Sequence, residues 1–514
     1  MDTQKTTRDI VQLQRDYQAG FESLGGDVAG RLAYQHYLCG STAIYHGNVI
    51  GSCFLPKLWD MPTLAFFDEL TATTYRILQK AADHFCNDPA YRALFGFSPL
   101  LDYLICLPTG YDCVIPITRI DLFFDEKTLD FKFCEFNTDG TSAMNEDREI
   151  VNGLALTETF CLAGQRQRIE PQELFDPWVE KFLALYASTP QAVADPTVGI
   201  IDYTKSATIY EFEEFRKRFE QRGYTCIISD ITELSYHDGA LYGRDVNPEH
   251  PAYGTAHRLD AVYRRGVTAE IMLELEAEPQ EAQNALLDGA RPSHTLHGAL
   301  ALVHAVRDKA ICMLGGFVTQ IAHCKQIFSI LHLPQTAEFL TEDECAFVRR
   351  HVPYTTTLSN EDIDLATVLG DKDRWIIKPK DGYGSVGVFA GRDQTQEAWD
   401  ELVRDHSDGR YVIQTYGAQY QTLKTRPLPL DANGSLRFDT LAGAQAAQQD
   451  GSFNPLALEP WSILTGLYMY GGSFSGVYVR AGQSALIVGF HGGVTLGSYL
   501  VDYDAQAGLA LRTR

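Results

Sequence analysis

The sequence lacks several features that would place it in a broad class at once. It has no uninterrupted apolar run of about 18 residues, so no membrane-spanning helix is predicted. It is poor in basic residues: 43 Lys and Arg against 67 Asp and Glu give a formal net charge of −24. Such a charge argues against binding nucleic acid through bulk electrostatics. Any phosphate group must therefore be held locally, by a few cations and backbone amides.

The cysteines also lack a recognisable arrangement. There are eleven of them, an odd number, and no C-x-x-C motif occurs, which favours reduced thiols over a disulfide framework. The first twenty residues are polar and charged rather than a basic and then apolar leader. We therefore expect a soluble, cytoplasmic protein with neither nucleic acid nor a membrane as a partner.

A chain of 514 residues is too long for one ordinary core and predicts two to four packed units. Residues 1–118 are predicted to be a mainly helical region, with amphipathic spacing over residues 64–86, and are a possible substrate-binding region. Residues 119–194 are predicted to form a hairpin followed by helices at 149–165 and 178–187. Residues 195–300 are predicted to form a small α/β domain, and residues 301–514 a further unit that contains a glycine-rich loop.

The α/β domain is predicted from a strand, helix and strand in succession. An apolar strand at 197–201, a charged helix near 211–222 and a second strand at 225–229 imply a parallel βαβ unit. A further strand is predicted at 259–263. The first strand is not followed by a glycine-rich turn, which argues against dinucleotide binding.

The most informative stretch is residues 119–147, which contains two alternating strands joined by a turn. Arg119 and Asp121 lie two apart on the first strand, and Glu135 and Asn137 two apart on the second. A hairpin would bring all four to one edge of a sheet, on the exposed face opposite the intervening Leu and Phe residues. Mg²⁺ prefers oxygen ligands from carboxylates and substrate phosphates, so this is a candidate metal site. The alternative is an ordinary solvent-facing strand pair with a surface salt bridge.

A second stretch, residues 374–390, contains a strand, a glycine-rich turn and another strand. Gly382, Gly384 and Gly387 match G-x-G-x-x-G, but that fingerprint should open a helix, and here a strand follows. A glycine loop between antiparallel strands can cover the phosphates of a nucleotide with its amides. Lys378, at the end of the incoming strand, could reach those phosphates. The alternative is a tight glycine hairpin beside an exposed lysine.

Four more segments complete the pattern. A strand at 410–414 ends in Gln414, and a hairpin over 466–480 ends in Arg480. A helix is predicted at 321–331, with Lys325 as its one strong cation. Residues 442–451 are rich in Ala and Gln and are predicted to form a mobile loop.

The order of these motifs resembles the glutathionylspermidine synthase family of ATP-grasp ligases, in the form with the synthetase half only. The matches span residues 119–480 and are R-x-D at Arg119 and Asp121, E-x-N-x-D at Glu135, Asn137 and Asp139, Lys325 before Leu333-Pro334, K-P and the glycine loop at Lys378, the strand with Gln414, and G-x-x-x-R at Gly476 and Arg480. In most ATP-grasp ligases the nucleotide lysines precede the metal ligands. Here the metal hairpin comes first, which agrees with the circularly rearranged unit of the family resembled.

The resemblance implies an α/β (α+β) class: an ATP-grasp fold with mainly antiparallel sheets, an inserted small parallel, pre-ATP-grasp-like α/β domain and a helical N-terminal region. It also implies ATP and two Mg²⁺ ions as cofactors. The residues implied are Asp121, Glu135 and Asn137 for the metal; Arg119 and Arg480 for the transferring phosphoryl group; Lys325 and Lys378 for the other phosphates, with Gly382, Gly384 and Ser385 of the loop; and Gln414 beside the adenine.

The activity implied is that of a carboxylate–amine ligase, which forms an amide through an acylphosphate and releases ADP and phosphate. Its partners would be a small-molecule or peptide carboxylate and an amine acceptor. The sequence departs from the family at 138–141, where T-D-G-T stands in place of the usual Asp-Thr-Pro, so the acceptor stays unidentified. Two alternatives stay open: an ATP-binding module without catalytic activity, and a kinase that phosphorylates a small acceptor. The sequence names no general base for the amine.

Overall fold

The computed structural model describes residues 10–45, 47–205, 207–290, 294–359, 361–382, 384–428, 438–489 and 492–502. The protein is a mixed α/β structure with mainly antiparallel sheets, which confirms the predicted class. Within these ranges, every helix is too short or too polar to traverse a lipid bilayer.

The helices are α1 (Ile10–Ser23), α2 (Val28–Cys39), α3 (Met61–Asn87), α4 (Pro89–Ala93), α5 (Pro99–Ile105), α6 (Met144–Leu154), α7 (Glu158–Gly164), α8 (Phe175–Ala187), α9 (Ile209–Gln221) and α10 (Thr268–Ala277). They continue with α11 (Gln280–Leu287), α12 (Gly298–Arg307), α13 (Gln320–His323), α14 (Ile327–Ile330), α15 (Pro334–Ala337), α16 (Glu342–His351), α17 (Leu365–Gly370), α18 (Gln396–His406) and α19 (Leu441–Gln449).

The strands are β1 (Ile44–Tyr45), β2 (Asn48–Val49), β3 (Ser52–Asp60), β4 (Ile117–Phe124), β5 (Phe131–Asn137), β6 (Ile169–Pro171), β7 (Val198–Asp202), β8 (Cys226–Asp230), β9 (Ser235–His237), β10 (Ala240–Arg244) and β11 (Ala256–Leu259). They continue with β12 (Ala261–Arg264), β13 (Leu296–His297), β14 (Cys312–Leu314), β15 (Thr355–Thr357), β16 (Trp375–Pro379), β17 (Phe389–Ala390), β18 (Tyr411–Thr415), β19 (Gln421–Thr425), β20 (Leu458–Tyr470), β21 (Ser473–Gly482) and β22 (Val494–Val501).

The large sheet has the order β3-β22-β21-β20-β4-β5, with β19 beside β20 and β6 beside β22. Its pairings are antiparallel except for β22 with β3. Gly471 and Gly472 join β20 to β21 with φ values of 57° and 88°, the left-handed conformation that a two-residue hairpin turn requires. Strand β4 pairs with β20, and β5 is the last strand in this order, so the predicted metal hairpin lies at one edge of the sheet.

Helix α3 confirms the amphipathic helix predicted near residues 64–86. It begins after Asp60, whose carboxylate accepts a hydrogen bond from the backbone N–H of Thr63 at 3.0 Å, and Pro62 lies in its first turn. Phe67 lies on its buried face and packs against Phe124 of β4, with ring centroids 5.1 Å apart. The helix therefore covers the large sheet beside the hairpin.

A four-stranded parallel sheet of order β14-β12-β7-β8 confirms the predicted βαβ unit. Helix α9 connects β7 to β8. A separate antiparallel sheet is formed by β9, β10 and β11, which lie between β8 and β12 in the chain, and by β13, which lies between β12 and β14. The division of the chain into domains stays a prediction.

A smaller antiparallel sheet of order β15-β18-β16-β17 contains the glycine-rich hairpin, because β16 pairs with β17. Alternation along β16 separates its two faces. Trp375 and Ile377 pack with Trp399 of α18 in one hydrophobic core, whereas Ile376 and Lys378 point to the opposite face. This sheet therefore presents a mixed apolar and cationic surface to the rest of the molecule.

Two predicted helices are interrupted in the structure. The helix near 149–165 is two helices, α6 and α7, because Thr157 caps a new helix by accepting from the N–H of Phe160 at 3.2 Å. The helix at 321–331 is also wrong: Lys325 lies in a turn between α13 and α14. Its backbone N–H donates to the carbonyl of Lys380 at 2.7 Å, which ties this turn to the smaller sheet.

Two other segments differ from their predicted form. The strand predicted at 259–263 bends at Asp260, so that β11 and β12 belong to different sheets. The loop predicted at 442–451 is instead helix α19, because Thr440 caps its first turn and its alanines favour helix.

A buried ion pair joins the hairpin to the parallel sheet. Asp139, just beyond β5, lies 2.5 Å from a guanidinium nitrogen of Arg264 on β12, and both side chains are 1% exposed. The Asp139 carboxylate also accepts from the backbone N–H of Thr268 at 2.6 Å. The Arg264 guanidinium lowers the pKa of this carboxyl against the effect of burial. The end of β5 is therefore anchored to a second sheet.

We expect Asp139→Ala to lower the free energy of unfolding by about 3–5 kcal/mol, because it leaves the buried Arg264 charge without its carboxylate. Urea denaturation would measure the loss. The control is Asp373→Ala, which removes a largely exposed partner of Lys372 and should change stability by less than about 0.5 kcal/mol. Equal effects of the two substitutions would show that the Asp139 pair does not anchor the hairpin.

Candidate functional site

The hairpin places the four predicted polar residues directly opposite one another. Arg119 pairs with Asn137 and Asp121 with Glu135 in the β4–β5 register. A bulge follows at Asp121, and it leaves Cys134 as an extra residue in β5. The bulge explains why Phe133 and Phe136, three apart, can both be buried in the core while Glu135 faces the other way.

The polar set does not lie on a solvent-exposed face, contrary to the sequence prediction. Asp121 is 1% exposed and Arg119 is 8% exposed. The chain beyond β5 folds back over this face, and the carbonyl of Ser142 accepts a hydrogen bond from Arg119 at 2.9 Å. Burial makes the charges of this set dependent on one another, since water does not screen them.

Asp121 is held by two arginines. Its carboxylate accepts from Arg119 Nε at 2.7 Å and Nη2 at 3.1 Å, and from Arg480 Nη2 at 2.6 Å. The Arg119 guanidinium also stacks over the ring of Tyr478, 5.1 Å from its centroid. These contacts fix β4 to β21 and orient Arg480, which is 21% exposed at its side chain.

One cleft, with about 640 Å³ of empty space including the part open to solvent, lies between the large sheet and the smaller sheet. It brings together six residues that the sequence predicts for the site: Glu135, Lys325, Lys378, Ser385, Gln414 and Arg480. The remainder of its lining is mainly apolar: Phe123, Phe133, Ile376, Val388, Leu464, Leu486 and Ile487. The cleft therefore has an apolar part and a charged part.

Cations outnumber carboxylates in the charged part. Burial raises the pKa of Glu135, but Lys325, Lys378 and Arg480 overcome this effect and lower it to about 2. Glu135 is therefore ionised at neutral pH. With Arg119 and Asp121 included, this part of the site contains four cationic side chains and two carboxylates. It is therefore locally positive, although the whole chain has a net charge of −24. Such an excess suits a polyanionic ligand.

Gln414 orients Lys378. Its Oε1 accepts from Lys378 Nζ at 2.8 Å, and its Nε2 donates to Thr355 Oγ1 at 2.9 Å. Lys378 also donates to the carbonyl of Cys134 at 3.0 Å, across the cleft. Both ends of the Gln414 amide thus have protein partners, and its place beside an adenine stays a prediction.

The glycine loop is tied to the turn that carries Lys325. Lys325 Nζ donates to the carbonyl of Gly382 at 2.7 Å, and Gln320 Nε2 donates to the Asp381 carboxylate at 2.8 Å. Gly384 and Ser385 have φ values of 64° and 59°, so the loop turns back sharply here. Of the predicted loop residues, Ser385 lines the cleft, whereas Gly382 and Gly384 do not.

Arg119, Asp121 and Asn137 adjoin the cleft without lining it. Asn137 Nδ2 donates to the carbonyl of Arg119 at 3.3 Å. In the ranges that the structure describes, no cluster of three or more His, Cys, Asp or Glu side chains could hold a metal ion. The predicted set contains only two such side chains with one amide, a donor set that suits Mg²⁺ when phosphate oxygens complete the coordination.

Two parts of the lining were not predicted from the sequence. Tyr416 and Gly417 follow β18, and Ala485–Val488 follow β21. The first pair lies two and three residues after Gln414, and the second segment is an apolar run a few residues after Arg480, so proximity to predicted residues was the available signal.

We expect Gly466→Ala to destabilise the protein by about 1–3 kcal/mol. Gly466 lies opposite Asp121 in the β20–β4 register, and an added Cβ would lie 2.8 Å from both Arg119 Cδ and Asp121 Oδ1. The ion pair would have to shift. Denaturation in urea measures the effect, and Gly164→Ala is the control because no atom lies within 4 Å of its added Cβ. A Gly466→Ala protein as stable as the control would contradict this account of the packing.

No protein-family model and no curated protein matches the chain. Among solved structures, it is similar to a glutathione synthetase-like effector from Globodera pallida, with a TM-score of 0.49 and 11% identity over 92% of this chain and 96% of the other. It is also similar to a putative gamma-glutamylcysteine synthetase from Methylobacillus flagellatus (TM-score 0.34, 11% identity, 82% and 88% covered). A third similar structure is a D-cycloserine synthetase (TM-score 0.25, 14% identity, 53% and 86% covered). At 11 to 14% identity, these likenesses do not assign the chain to a family.

Proposed function

We propose that the protein is an ATP-dependent carboxylate–amine ligase of the ATP-grasp type, related to the glutathionylspermidine synthase family. It would form an amide through an acylphosphate and release ADP and phosphate. The observation that carries the proposal is the convergence of Glu135, Lys325, Lys378 and Arg480 on one cleft from distant parts of the sequence. Their order in the chain suggests a ligase, and their common location supports it.

The cleft suits a nucleoside triphosphate in its chemistry, with an apolar part for a flat base and a positive part for an anion. The apolar part, with Phe123, Ile376 and Leu464, would take the base. The positive part would take the triphosphate, and the glycine loop with Ser385 would cover it.

The oxygen donors of the hairpin suit the magnesium ions that accompany ATP. We assign Asp121, Glu135 and Asn137 to this role, with Glu135 ionised because its pKa is about 2. Bound Mg²⁺ would neutralise charge on the phosphates. In the structure Asp121 is shared between Arg119 and Arg480, so these arginines would keep its carboxylate oriented.

The cationic residues would accelerate phosphoryl transfer to the substrate carboxylate. A carboxylate does not react with an amine because oxide is a poor leaving group, and phosphorylation supplies a good one. Arg480, oriented by Asp121, would contact the transferring group, and Lys325 and Lys378 would hold the remaining phosphates. Such positioning and charge neutralisation account for most of the catalysis of phosphoryl transfer. An amine acceptor would then displace phosphate.

The test is release of ADP and phosphate from Mg·ATP with a panel of small carboxylates and peptides, each paired with amines. Hydroxylamine added to the reaction should trap the acylphosphate as a hydroxamate. ADP release without a hydroxamate would indicate a kinase that acts on a hydroxyl group. Binding of ATP without any turnover would indicate a nucleotide-binding module.

We expect Glu135→Ala and Lys378→Met each to lower the rate of ADP release at least about a hundredfold, since the first removes a proposed Mg²⁺ ligand and the second a cation at the phosphates. Circular dichroism should show a folded protein in both cases. The control is Lys372→Met, whose lysine pairs with Asp373 away from the cleft and whose loss should leave the rate unchanged. Normal ADP release by Glu135→Ala would overturn the assignment of the metal site.

A further inference from the structure

A short segment that follows strand β21 of the large sheet extends to the smaller sheet at the apolar part of the cleft. Residues 484–488, here called the strap, follow β21, and Ala485–Val488 line the cleft. The strap is held in shape by its own chain: Ser484 Oγ donates to the carbonyl of Leu486 at 2.7 Å, and the N–H of Gly493 donates to the carbonyl of Val488 at 2.9 Å. It is therefore an ordered wall of the cleft.

Three side chains from segments that follow strands of the smaller sheet form hydrogen bonds with one residue of the strap, Ala485. The carbonyl of Ala485 accepts from the Tyr416 hydroxyl at 3.1 Å and from Gln419 Nε2 at 2.9 Å. The backbone N–H of the same residue donates to the Asp393 carboxylate at 3.2 Å. Both backbone polar groups of Ala485 are thus satisfied by side chains that belong to the other side of the cleft. We call these contacts the latch.

Packing reinforces the latch. Ala485 is buried in a small apolar cluster with Ile376 and Ala390 of the smaller sheet, and Leu486 and Tyr416 pack against this cluster. Burial raises the pKa of Tyr416 to about 12, so its hydroxyl keeps its proton and donates at neutral pH. The Arg392 guanidinium lies over the Tyr416 ring at 4.8 Å, which fixes the ring in place.

We infer that Tyr416, Gln419 and Asp393 are positioning residues. They hold the strap at Ala485 and so fix its aliphatic side chains in the part of the cleft that the proposed function assigns to the base. The inference rests on the proposed function and extends it to recognition of the base. The strap contributes two aliphatic side chains, Leu486 and Ile487, to the same apolar lining as Phe123 and Ile376. A flat aromatic base would pack against this apolar surface, whereas the triphosphate would contact the cations at the other end.

Because the base and the phosphates would contact different parts of the cleft, a change at the latch should have a distinctive effect on ligand affinity. A change at the latch should weaken ligands that carry a base and leave a base-free polyphosphate unaffected. A change at Lys378 should weaken both, because it removes a cation at the phosphate end. A general loss of structure would also weaken both, so the two kinds of ligand distinguish positioning of the strap from damage to the fold.

The experiment measures the Kd of the full chain for Mg·ATP and for Mg·tripolyphosphate by calorimetry. We expect Tyr416→Phe, which keeps the ring but removes the donor, to weaken Mg·ATP about fivefold, and the double variant Tyr416→Phe/Gln419→Leu to weaken it about twentyfold. Tripolyphosphate affinity should change less than twofold in both. Tyr354→Phe, a half-exposed tyrosine beside the first strand of the same sheet, should change neither.

Either of two results would overturn the inference while leaving the proposed function intact. In the first, the double variant binds Mg·ATP as tightly as the unmodified protein. In the second, ATP and tripolyphosphate weaken by the same factor. Failure of the proposed function has a different signature: the unmodified chain binds neither ligand, or Lys378→Met leaves both affinities unchanged, and the inference about the strap then falls with it.

Discussion

The candidate site depends on one buried carboxylate, Asp121, that two arginines share. Arg119 comes from the same strand and Arg480 from a strand near the end of the chain, so the carboxylate joins early and late parts of the large sheet. A buried ion pair loses the hydration of its charges, and it persists only when its geometry and hydrogen bonds are nearly complete. Here they are, and the same contacts orient Arg480 toward the cleft.

The second constraint is electrostatic. The protein as a whole is strongly acidic, yet the charged part of the cleft holds more cations than carboxylates. Each cation has a protein partner: Lys378 donates to Gln414, and Lys325 donates to the glycine loop. These partners hold the positive charges in place around Glu135, so little rearrangement is needed when an anion enters.

The cleft also lies where several parts of the structure meet. The hairpin is anchored to the parallel sheet through Asp139 and Arg264, the glycine loop is tied to the Lys325 turn, and the strap is fastened to the smaller sheet at Ala485. The smaller sheet is thus attached at both ends of the cleft, by charged contacts at one end and by the latch at the other.

The sequence by itself determined the local elements: the hairpin with its paired polar residues, the glycine-rich turn between strands, the βαβ unit and helix α3. These follow from spacing, alternation and capping, which act over a few residues. Only the tertiary structure decided four other features. They are the bulge that leaves Cys134 without a partner in the β4–β5 register, the break in the helix at Lys325, the burial of Asp121 and the latch at Ala485. Each depends on a partner far along the chain, such as Lys380 for Lys325 or Tyr416 for Ala485, and short-range patterns carry no information about such contacts.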